Sequence, residues 1–334
     1  MITLEYTYIC RKFHTYLNKL KIKLDKENSQ YKSIEEKKRY LDSIAPKIYN
    51  DIDSYLSKMW DIAQPHILNN QEAYQKYKQF TRDLLLDQLF NIGPLNKRIH
   101  DKPLGYDGDY LVVHYFYLND YLGGNLFEML INRYTSSIPA SQAHINRESY
   151  FNEYLNNMSS DEPLCILSLG CGPAKEIIEL LKEKHIKAKI YLNDMESEAI
   201  EFVKNQLDQY LNPDISITYL HMNILSLVKN LKRLNLPKFD LIYSFGLFDY
   251  LNDKIAKLVI NSMYNYLNND GIFLITNVEK NIPNKINIEF LCDWKLIYRG
   301  QEQLIGLSDG AGYSKKHTFF DEKTKANIYL HLQK

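Results

Sequence analysis

The chain has 334 residues, with 41 Lys and Arg against 41 Asp and Glu, so its net charge is close to zero. An enzyme that acts on nucleic acid usually carries a basic excess, so no nucleic-acid partner is expected. No apolar run approaches the ~18 residues that span a bilayer, and the N-terminus lacks the pattern of a secretion signal. We therefore expect no membrane span and a cytoplasmic location. The four cysteines form no C-x-x-C pair, which argues against a structural metal site.

The first ~100 residues predict a helical N-terminal domain, residues 1–100. Apolar residues recur at helical spacing from Ile48 to Ala63, and a second apolar stripe runs from Tyr74 to Leu85. Pro46 suits the first turn of the earlier of these helices, and Pro65 lies just past its expected end.

Residues 101–160 predict a helical lid or linker region. It begins with Lys102–Tyr110, a loop that contains two glycines, a proline and two tyrosines. Helices are expected after this loop, at 111–118, 126–134 and 141–155. A polar linker at 156–163 then leads into the first predicted strand.

From residue 161 to 334 the predicted strands and helices alternate, which is typical of a mostly parallel α/β sheet. The strands are expected at 165–169, 189–193, 216–221, 239–244, 271–277, 294–299 and 326–332. The helices between them are expected at 174–184, 196–210, 224–233 and 253–267. No long helix separates the last two strands, so we expect them to pair antiparallel.

The segment from Cys165 to Lys175 carries the strongest functional signal. Its apolar run ends in Gly170-Cys171-Gly172, and a helix-forming stretch follows, as in the first strand and nucleotide-binding turn of an open α/β sheet. Glycine lets the backbone come close to a ligand. A second apolar run ends at Asp194, whose carboxylate could accept hydrogen bonds from ribose hydroxyls. The predicted ligand is therefore a cofactor that contains a nucleoside.

Lys175 occupies the position of the third glycine in the dinucleotide-binding fingerprint, and no Gly-Lys-Ser/Thr phosphate loop follows. This disfavours a nicotinamide dehydrogenase and indicates a nucleoside cofactor without a pyrophosphate, such as S-adenosylmethionine (SAM). The glycine turn, Asp194 and the segment Asp240–Tyr250 resemble the class I SAM-dependent methyltransferases. Many members carry an acidic residue where this chain has Ser168. The resemblance implies a Rossmann-like, seven-stranded methyltransferase sheet and an α-helical N-terminal domain or lid.

A narrower resemblance spans roughly residues 95–334. The chain is similar to the bacterial extracellular-factor methyltransferases, a family assigned to 3-hydroxypalmitic acid methyl ester biosynthesis. The similar segments are Lys102–Tyr110, Ala143–Arg147, Ser168–Ala174, Gly246–Leu251 and Trp294–Arg299. The resemblance implies a lipid-like acceptor.

The methyltransferase resemblance also implies roles for individual residues. Gly170 and Gly172 should approach the methionine part of SAM, and Asp194 should bind the ribose unless it only caps a helix. Met195 and Ile224 are candidates to enclose the adenine, with core packing as the alternative. The other candidate cofactor ligands are Cys171, Asn223, Ser244, Phe245, Gly246, Tyr106, Tyr110 and Arg147. Asn223 could bond the adenine amino group, the two tyrosines could face the sulfonium, and Arg147 could pair with the cofactor carboxylate or lie on a solvated helix face.

Four residues are candidates for the acceptor side of the reaction. Phe248 and Tyr106 could line the acceptor pocket. Asp249 could act as a general base or cap the following helix, and His114 could act as a base or be a packed residue. A carboxylate acceptor would need no base because it is already ionised near neutral pH.

The favoured prediction is SAM-dependent methyl transfer to a small-molecule or lipid-like acceptor, with a carboxyl oxygen as one candidate. Two alternatives remain open. One is a protein or natural-product N- or O-methyltransferase, and the other is a SAM-binding regulatory protein without turnover. The residues predict neither the acceptor nor the oligomeric state.

Overall fold

The computed structural model describes residues 1–156, 162–183 and 186–334. The chain packs as two compact units. The helical unit comprises Met1–Ser141 and Pro283–Lys295, and the sheet unit comprises Gln142–Ile282 and Leu296–Lys334. These bounds differ from the predicted division at 1–100, 101–160 and 161–334, which stays a prediction. The predicted linker at 156–163 lies partly outside the described residues.

The helical unit is built from amphipathic helices. Its helices are α1 (Leu4–Glu27), α2 (Ile34–Ile67), α3 (Gln71–Leu85), α4 (Gly93–Asp101), α5 (Tyr110–Leu118) and α6 (Leu126–Ser137). Thr3 caps α1 by accepting from the Tyr6 N–H, and Ser33 forms a reciprocal capping box with Glu36 at the start of α2. No helix within the described residues is long and apolar enough to cross a membrane.

The second helix is longer than the sequence analysis predicts. Pro46 and Pro65 lie inside α2, and not at its first turn and beyond its end. Both prolines are exposed, so water can bond the carbonyl groups that lose an intrahelical partner. The buried apolar stripe from Leu41 to Ile67 continues through both positions, and its packing outweighs the local cost of proline.

A segment from the C-terminal half of the chain completes the helical unit. Pro283–Lys295 includes a π-helical stretch and binds the third helix through side chains. The Tyr74 hydroxyl donates to Glu289 at 3.0 Å, and the Arg82 guanidinium donates to the Phe290 carbonyl at 2.9 Å. This insertion was not predictable from the sequence, because its anchoring partners are more than 200 residues away in the chain.

The sheet unit contains a seven-stranded mixed sheet, which confirms the predicted α/β fold. The strands are β1 (Leu164–Leu169), β2 (Ala188–Asp194), β3 (Ile215–His221), β4 (Phe239–Phe245), β5 (Leu267–Val278), β6 (Lys315–Phe320) and β7 (Asn327–Gln333). They lie in the order β3-β2-β1-β4-β5-β7-β6, and β7 runs antiparallel to both of its neighbours. The remaining helices are α7 (Pro139–Asn156), α8 (Lys175–Glu183), α9 (Ser197–Leu207), α10 (Ile224–Asn230), α11 (Asp253–Tyr264) and α12 (Gln301–Gly306).

Both faces of the sheet are covered, and alternate residues of β4 show this. Ile242 packs on the face that contains Val259 of α11, whereas Leu241 packs on the face that contains Ile177 of α8. A parallel strand buried on both sides reads as a continuous apolar run, which is why β1 and β4 were predictable from the sequence; the edge strand β3 alternates apolar and polar residues instead.

The predicted strand at 294–299 is wrong, and the sixth strand is β6. Residues 297–299 bond to the turn after β4 and to the end of β5: the Ile297 N–H donates to the Asp249 carbonyl at 2.7 Å, and the Arg299 N–H donates to the Val278 carbonyl at 3.2 Å. Arg299 is buried and donates to the carbonyls of Phe248 and Leu251, which holds this segment in a loop. An isolated parallel bridge joins Glu279 to Arg299, without forming a strand.

Candidate active site

The turn after β1 leaves an open space beside the backbone. Gly170 and Gly172 have φ angles of 68° and 51°, in the left-handed region that favours glycine. A Cβ added at Gly170 would lie 3.3 Å from the Leu247 side chain, whereas one added at Gly172 would meet nothing within 4 Å. A side chain at Gly170 would therefore crowd Leu247, whereas Gly172 presents bare backbone to open space.

Asp194 joins the end of β2 to this turn. One carboxylate oxygen accepts from the Gly172 N–H at 2.9 Å, and the other accepts from the Glu196 N–H at 3.0 Å. Burial raises the pKa of Asp194, and these backbone hydrogen bonds oppose the rise. The α9 N-cap is Glu196, so Asp194 does not cap that helix. Two bonds leave a carboxylate with lone pairs to spare, so ribose binding by Asp194 stays a prediction.

The Cys171 backbone also ties the turn to β2, because its N–H donates to the Asn193 carbonyl at 2.8 Å. The Cys171 side chain is buried in the sheet core, where burial raises the pKa of its thiol. A reactive thiolate is therefore disfavoured at this position.

The predicted adenine residues lie at the ends of β2 and β3. Met195 is 46% exposed, so the alternative that it packs in the core is wrong. Asn223 caps α10 by accepting from the Ser226 N–H at 2.9 Å, and Ile224 is partly buried against the core. Their contacts with adenine stay predictions.

At the end of β4, the Arg147 guanidinium lies directly against the Gly246 backbone. Gly246 has a φ of 103°, and a Cβ there would lie 3.1 Å from the Arg147 Nη1. The guanidinium carbon stands 6.0 Å from the Phe245 ring centroid. Beneath this turn, the buried Ser244 hydroxyl donates to the Leu169 carbonyl at 3.0 Å and joins β4 to β1. Glycine at position 246 therefore makes room for the guanidinium.

Arg147 is only 2% exposed, so the alternative that it lies on a solvated helix face is wrong. Within the described residues, its Nη1 donates a long hydrogen bond, 3.4 Å to the Thr276 hydroxyl, and its buried Nε has no hydrogen-bond partner. A buried N–H without a partner costs about 1–3 kcal/mol, and more when the group is charged. The arrangement therefore favours an acidic ligand group at this guanidinium.

Asp249 lies in a short 3-10 turn after Gly246 and is buried. Its Oδ1 accepts from the Val278 N–H at 2.7 Å. Burial raises the pKa of Asp249 to about 7, against the lowering effects of that hydrogen bond, Arg147 and Arg299. The α11 N-cap is Asn252, so the predicted helix-cap role of Asp249 is wrong. Its role as a general base stays a prediction.

Phe248 is fully buried in the sheet core, with its ring centroid 6.1 Å from that of Phe273. A core position explains this side chain, so we withdraw it as an acceptor-lining residue. Tyr106, Tyr110 and His114 belong to the helical unit, where all three are partly buried and the Arg98 guanidinium lies 5.8 Å from the Tyr110 ring centroid. Their predicted roles toward the cofactor and acceptor stay predictions.

Glu176 is a buried carboxylate in the first turn of α8 and is not among the residues predicted from the sequence. The Tyr243 hydroxyl donates to it at 2.7 Å. Burial raises the pKa of Glu176, while the Tyr243 hydrogen bond and the nearby Arg147 charge lower it. Glu176 could have been predicted from its position one turn after Gly172, because acidic residues are favoured at helix N-termini.

Comparison with known proteins identifies this region. Residues 160–324 match the family model described as a methyltransferase domain. No curated protein matches the chain in sequence.

The chain is similar to several solved structures, and the similarity to the first one given below shows a shared fold. A protein described as a possible exported protein from Bordetella parapertussis superposes with a TM-score of 0.56 at 15% identity, covering 72% of this chain and 86% of that one. Magnesium protoporphyrin IX methyltransferase from Synechocystis PCC 6803, with bound SAM, gives a TM-score of 0.45 at 11% identity, with 59% and 84% coverage. N-methyltransferase NodS from Bradyrhizobium japonicum WM9 gives 0.41 at 13% identity, with 59% and 88% coverage.

Residues 160–324 are therefore a methyltransferase domain, and the predicted enzyme class is confirmed. The chain therefore carries a methyltransferase domain, for which SAM is the predicted cofactor. The residues present fit that cofactor: an open face at Gly172, a carboxylate at the end of β2 and a buried guanidinium with an unpartnered N–H. The helical unit lies outside the matched residues except for Pro283–Lys295.

Proposed function

We propose that this enzyme binds SAM at the carboxyl ends of β1, β2 and β4, and methylates a small-molecule or lipid-like acceptor. The observation that carries the cofactor site is the buried Nε of Arg147, which has no hydrogen-bond partner in the part of the chain that the structure describes. In open α/β sheets, ligands bind outside the carboxyl ends of the strands near the switch in strand order. Here that switch lies between β1 and β4.

Two buried charges support a site for the amino-acid end of SAM. Arg147 would bind its carboxylate, since guanidinium groups favour paired hydrogen bonds to carboxylates. Glu176 would attract its ammonium group and replace the acidic residue that many methyltransferases carry where this chain has Ser168. No ion pair joins Arg147 to Glu176 in the part of the chain that the structure describes, so neither charge neutralises the other directly.

Asp249 supports proton removal from a hydroxyl or amine acceptor. When bound, SAM supplies an electrophilic methyl group on a positively charged sulfur. A pKa of about 7 lets the Asp249 carboxyl exchange a proton near neutral pH, and Val278 occupies only one of its oxygens. A carboxylate acceptor would bypass this step, and buried surroundings would then act mainly by positioning and by removing water.

The likeness to the extracellular-factor methyltransferases favours a lipid-like acceptor among the small molecules. A protein or natural-product acceptor is the second candidate, and SAM binding without turnover is the third. Incubation with labelled SAM and cell extract separates them. Label in organic-soluble material would support the lipid-like acceptor, and label in protein bands would support a protein acceptor. Label in neither fraction, together with measurable SAM binding, would support a regulatory protein.

Calorimetry tests the proposed cofactor site. Arg147→Gln should weaken SAM binding about 10- to 100-fold, because a hydrogen bond to a charged group contributes about 1.5–3 kcal/mol. Methylthioadenosine lacks the amino-acid end, so its affinity should be unchanged by the same substitution. Equal SAM affinity in the wild type and the variant would remove Arg147 from the site.

We also propose that the protein is cytoplasmic. Its four cysteines are free and buried, which fits a reducing compartment.

A further inference from the structure

The first helix has an outward face that the methyltransferase domain does not explain. α1 buries one side within the helical unit, through Tyr6, Cys10, Phe13, Leu17 and Leu24. The exposed cations of α1 are Arg11, Lys12, Lys19, Lys23 and Lys26. Four of them, the lysines, recur at spacings of seven, four and three residues, so they line one side of the helix. The exposed acids of α1, Glu5 and Asp25, stand near its two ends.

Apolar side chains lie among these cations. Leu4, Tyr8 and Ile22 are 89%, 61% and 56% exposed, on the side of the helix opposite its buried apolar residues. Tyr8 lies one turn before Lys12, whose ammonium stands 5.0 Å from the ring centroid. Ile22 lies one turn before Lys26. The outward face is therefore cationic and apolar at the same time.

Two acids beside this face, Glu27 and Asp51, already have partners. Glu27 accepts from the Tyr40 hydroxyl and lies 3.9 Å from Lys23. Asp51 of α2 accepts from the Tyr16 hydroxyl at 3.0 Å and from Lys47 at 3.1 Å. Arg11, Lys19 and Lys26 take part in no ion pair among residues 1–156, 162–183 and 186–334. The positive potential of the face is therefore only partly offset.

We propose that the outward face of α1 docks on an anionic phospholipid surface. Clustered Lys and Arg are attracted to negative headgroups, and exposed apolar side chains can enter the headgroup boundary. A helix of 24 residues spans about 36 Å, so all five cations can reach one flat surface. A nucleic-acid partner fits less well, because exposed Leu and Ile have no role on a phosphate backbone and the net charge of the chain is near zero.

Vesicle co-sedimentation of the full chain tests this proposal. The protein should bind phosphatidylcholine–phosphatidylglycerol vesicles, ignore pure phosphatidylcholine and dissociate as salt is raised. The triple variant Lys12→Gln, Lys19→Gln, Lys23→Gln should bind on the order of 100-fold more weakly, about fivefold for each cation. A matched control removes the same charge from exposed positions of α2 and α4, through Arg39→Gln, Lys58→Gln and Lys97→Gln, and should keep most of the binding.

Circular dichroism melting first establishes that both triple variants fold. Equal losses in the two variants would overturn the proposal, since they would show a general charge effect and not a face of α1. Absence of binding to anionic vesicles would overturn it as well. Salt-sensitive binding to a DNA duplex, lost in the α1 variant while vesicles are ignored, would assign the face to nucleic acid. The proposal does not depend on SAM binding, which is measured separately by calorimetry.

Discussion

The Asp249→Asn substitution should change how the stability of the protein depends on pH. The folded-state pKa of Asp249 is raised from 3.8 to about 7, mainly by burial. Between these values the native state keeps a proton that the unfolded chain releases, so the free energy of unfolding falls as pH rises. A pKa shift of about three units at about 1.36 kcal/mol per unit sets an upper limit near 4 kcal/mol. The asparagine cannot ionise, and its side-chain oxygen can still accept from the Val278 N–H.

Urea unfolding followed by circular dichroism measures this effect at pH values below, within and above that window. The wild type and the variant should have similar stability near pH 4, and the variant should be the more stable near pH 8, by up to about 4 kcal/mol. Glu176 and Asp194 also have raised pKa values and change the stability in the same direction. Their contributions cancel when the stability–pH profile of the variant is subtracted from that of the wild type. Parallel profiles would refute the reasoning, because they would show that Arg147 and Arg299 keep Asp249 ionised in the folded protein.

Three further substitutions test the geometry of the site. Gly246→Ala should destabilise the protein by about 1–3 kcal/mol in urea unfolding, since its Cβ would press on the guanidinium at 3.1 Å in a left-handed backbone. Gly310→Ala is its control, with a φ of 79° and nothing within 4 Å, and a larger loss there would contradict the steric argument. Gly172→Ala should lower the free energy of unfolding by about 1 kcal/mol and should weaken SAM binding in calorimetry more strongly, because its Cβ enters the open space proposed for the cofactor. An unchanged SAM affinity would mean that the cofactor binds elsewhere. Tyr243→Phe should cost about 1–3 kcal/mol by leaving Glu176 without its hydroxyl donor, and a stability equal to the wild type would show that the donor is dispensable.

The glycine turn and the first five strands were predictable because their causes are local. A strand buried on both faces needs an apolar run, and the turn after β1 needs a positive φ at Gly170 and Gly172. Ala174 also has a positive φ, 45°, which could not be predicted from its residue type. The carboxylate at Asp194 was predictable for the same reason, since it directly follows an apolar run.

The remaining features depend on partners that are far away in the chain. The run Trp294–Arg299 has the composition of a strand, but carbonyl groups near Phe248 bind the Arg299 side chain and hold the run in a loop. Likewise, nothing in the composition of Pro283–Lys295 shows that it packs with helices formed 200 residues earlier. The predicted helix was also bounded by Pro46 and Pro65, whereas α2 continues through both. Its buried apolar stripe stabilises the helix there, and sequence rules for helix ends do not include this packing.

Arg147 shows how burial turns an ambiguous residue into a site residue. Its sequence context allowed either a solvated helix face or a cofactor ligand, and only the three-dimensional packing removes the first possibility. A buried guanidinium with one long hydrogen bond is costly, and the carboxyls of Glu176 and Asp249 are close enough for its charge to lower their pKa values against the effect of burial. Well-packed apolar side chains would fill this space at lower cost, so stability alone does not explain the cluster. A ligand that carries both a carboxylate and an ammonium group would satisfy it, and the amino-acid end of SAM carries both.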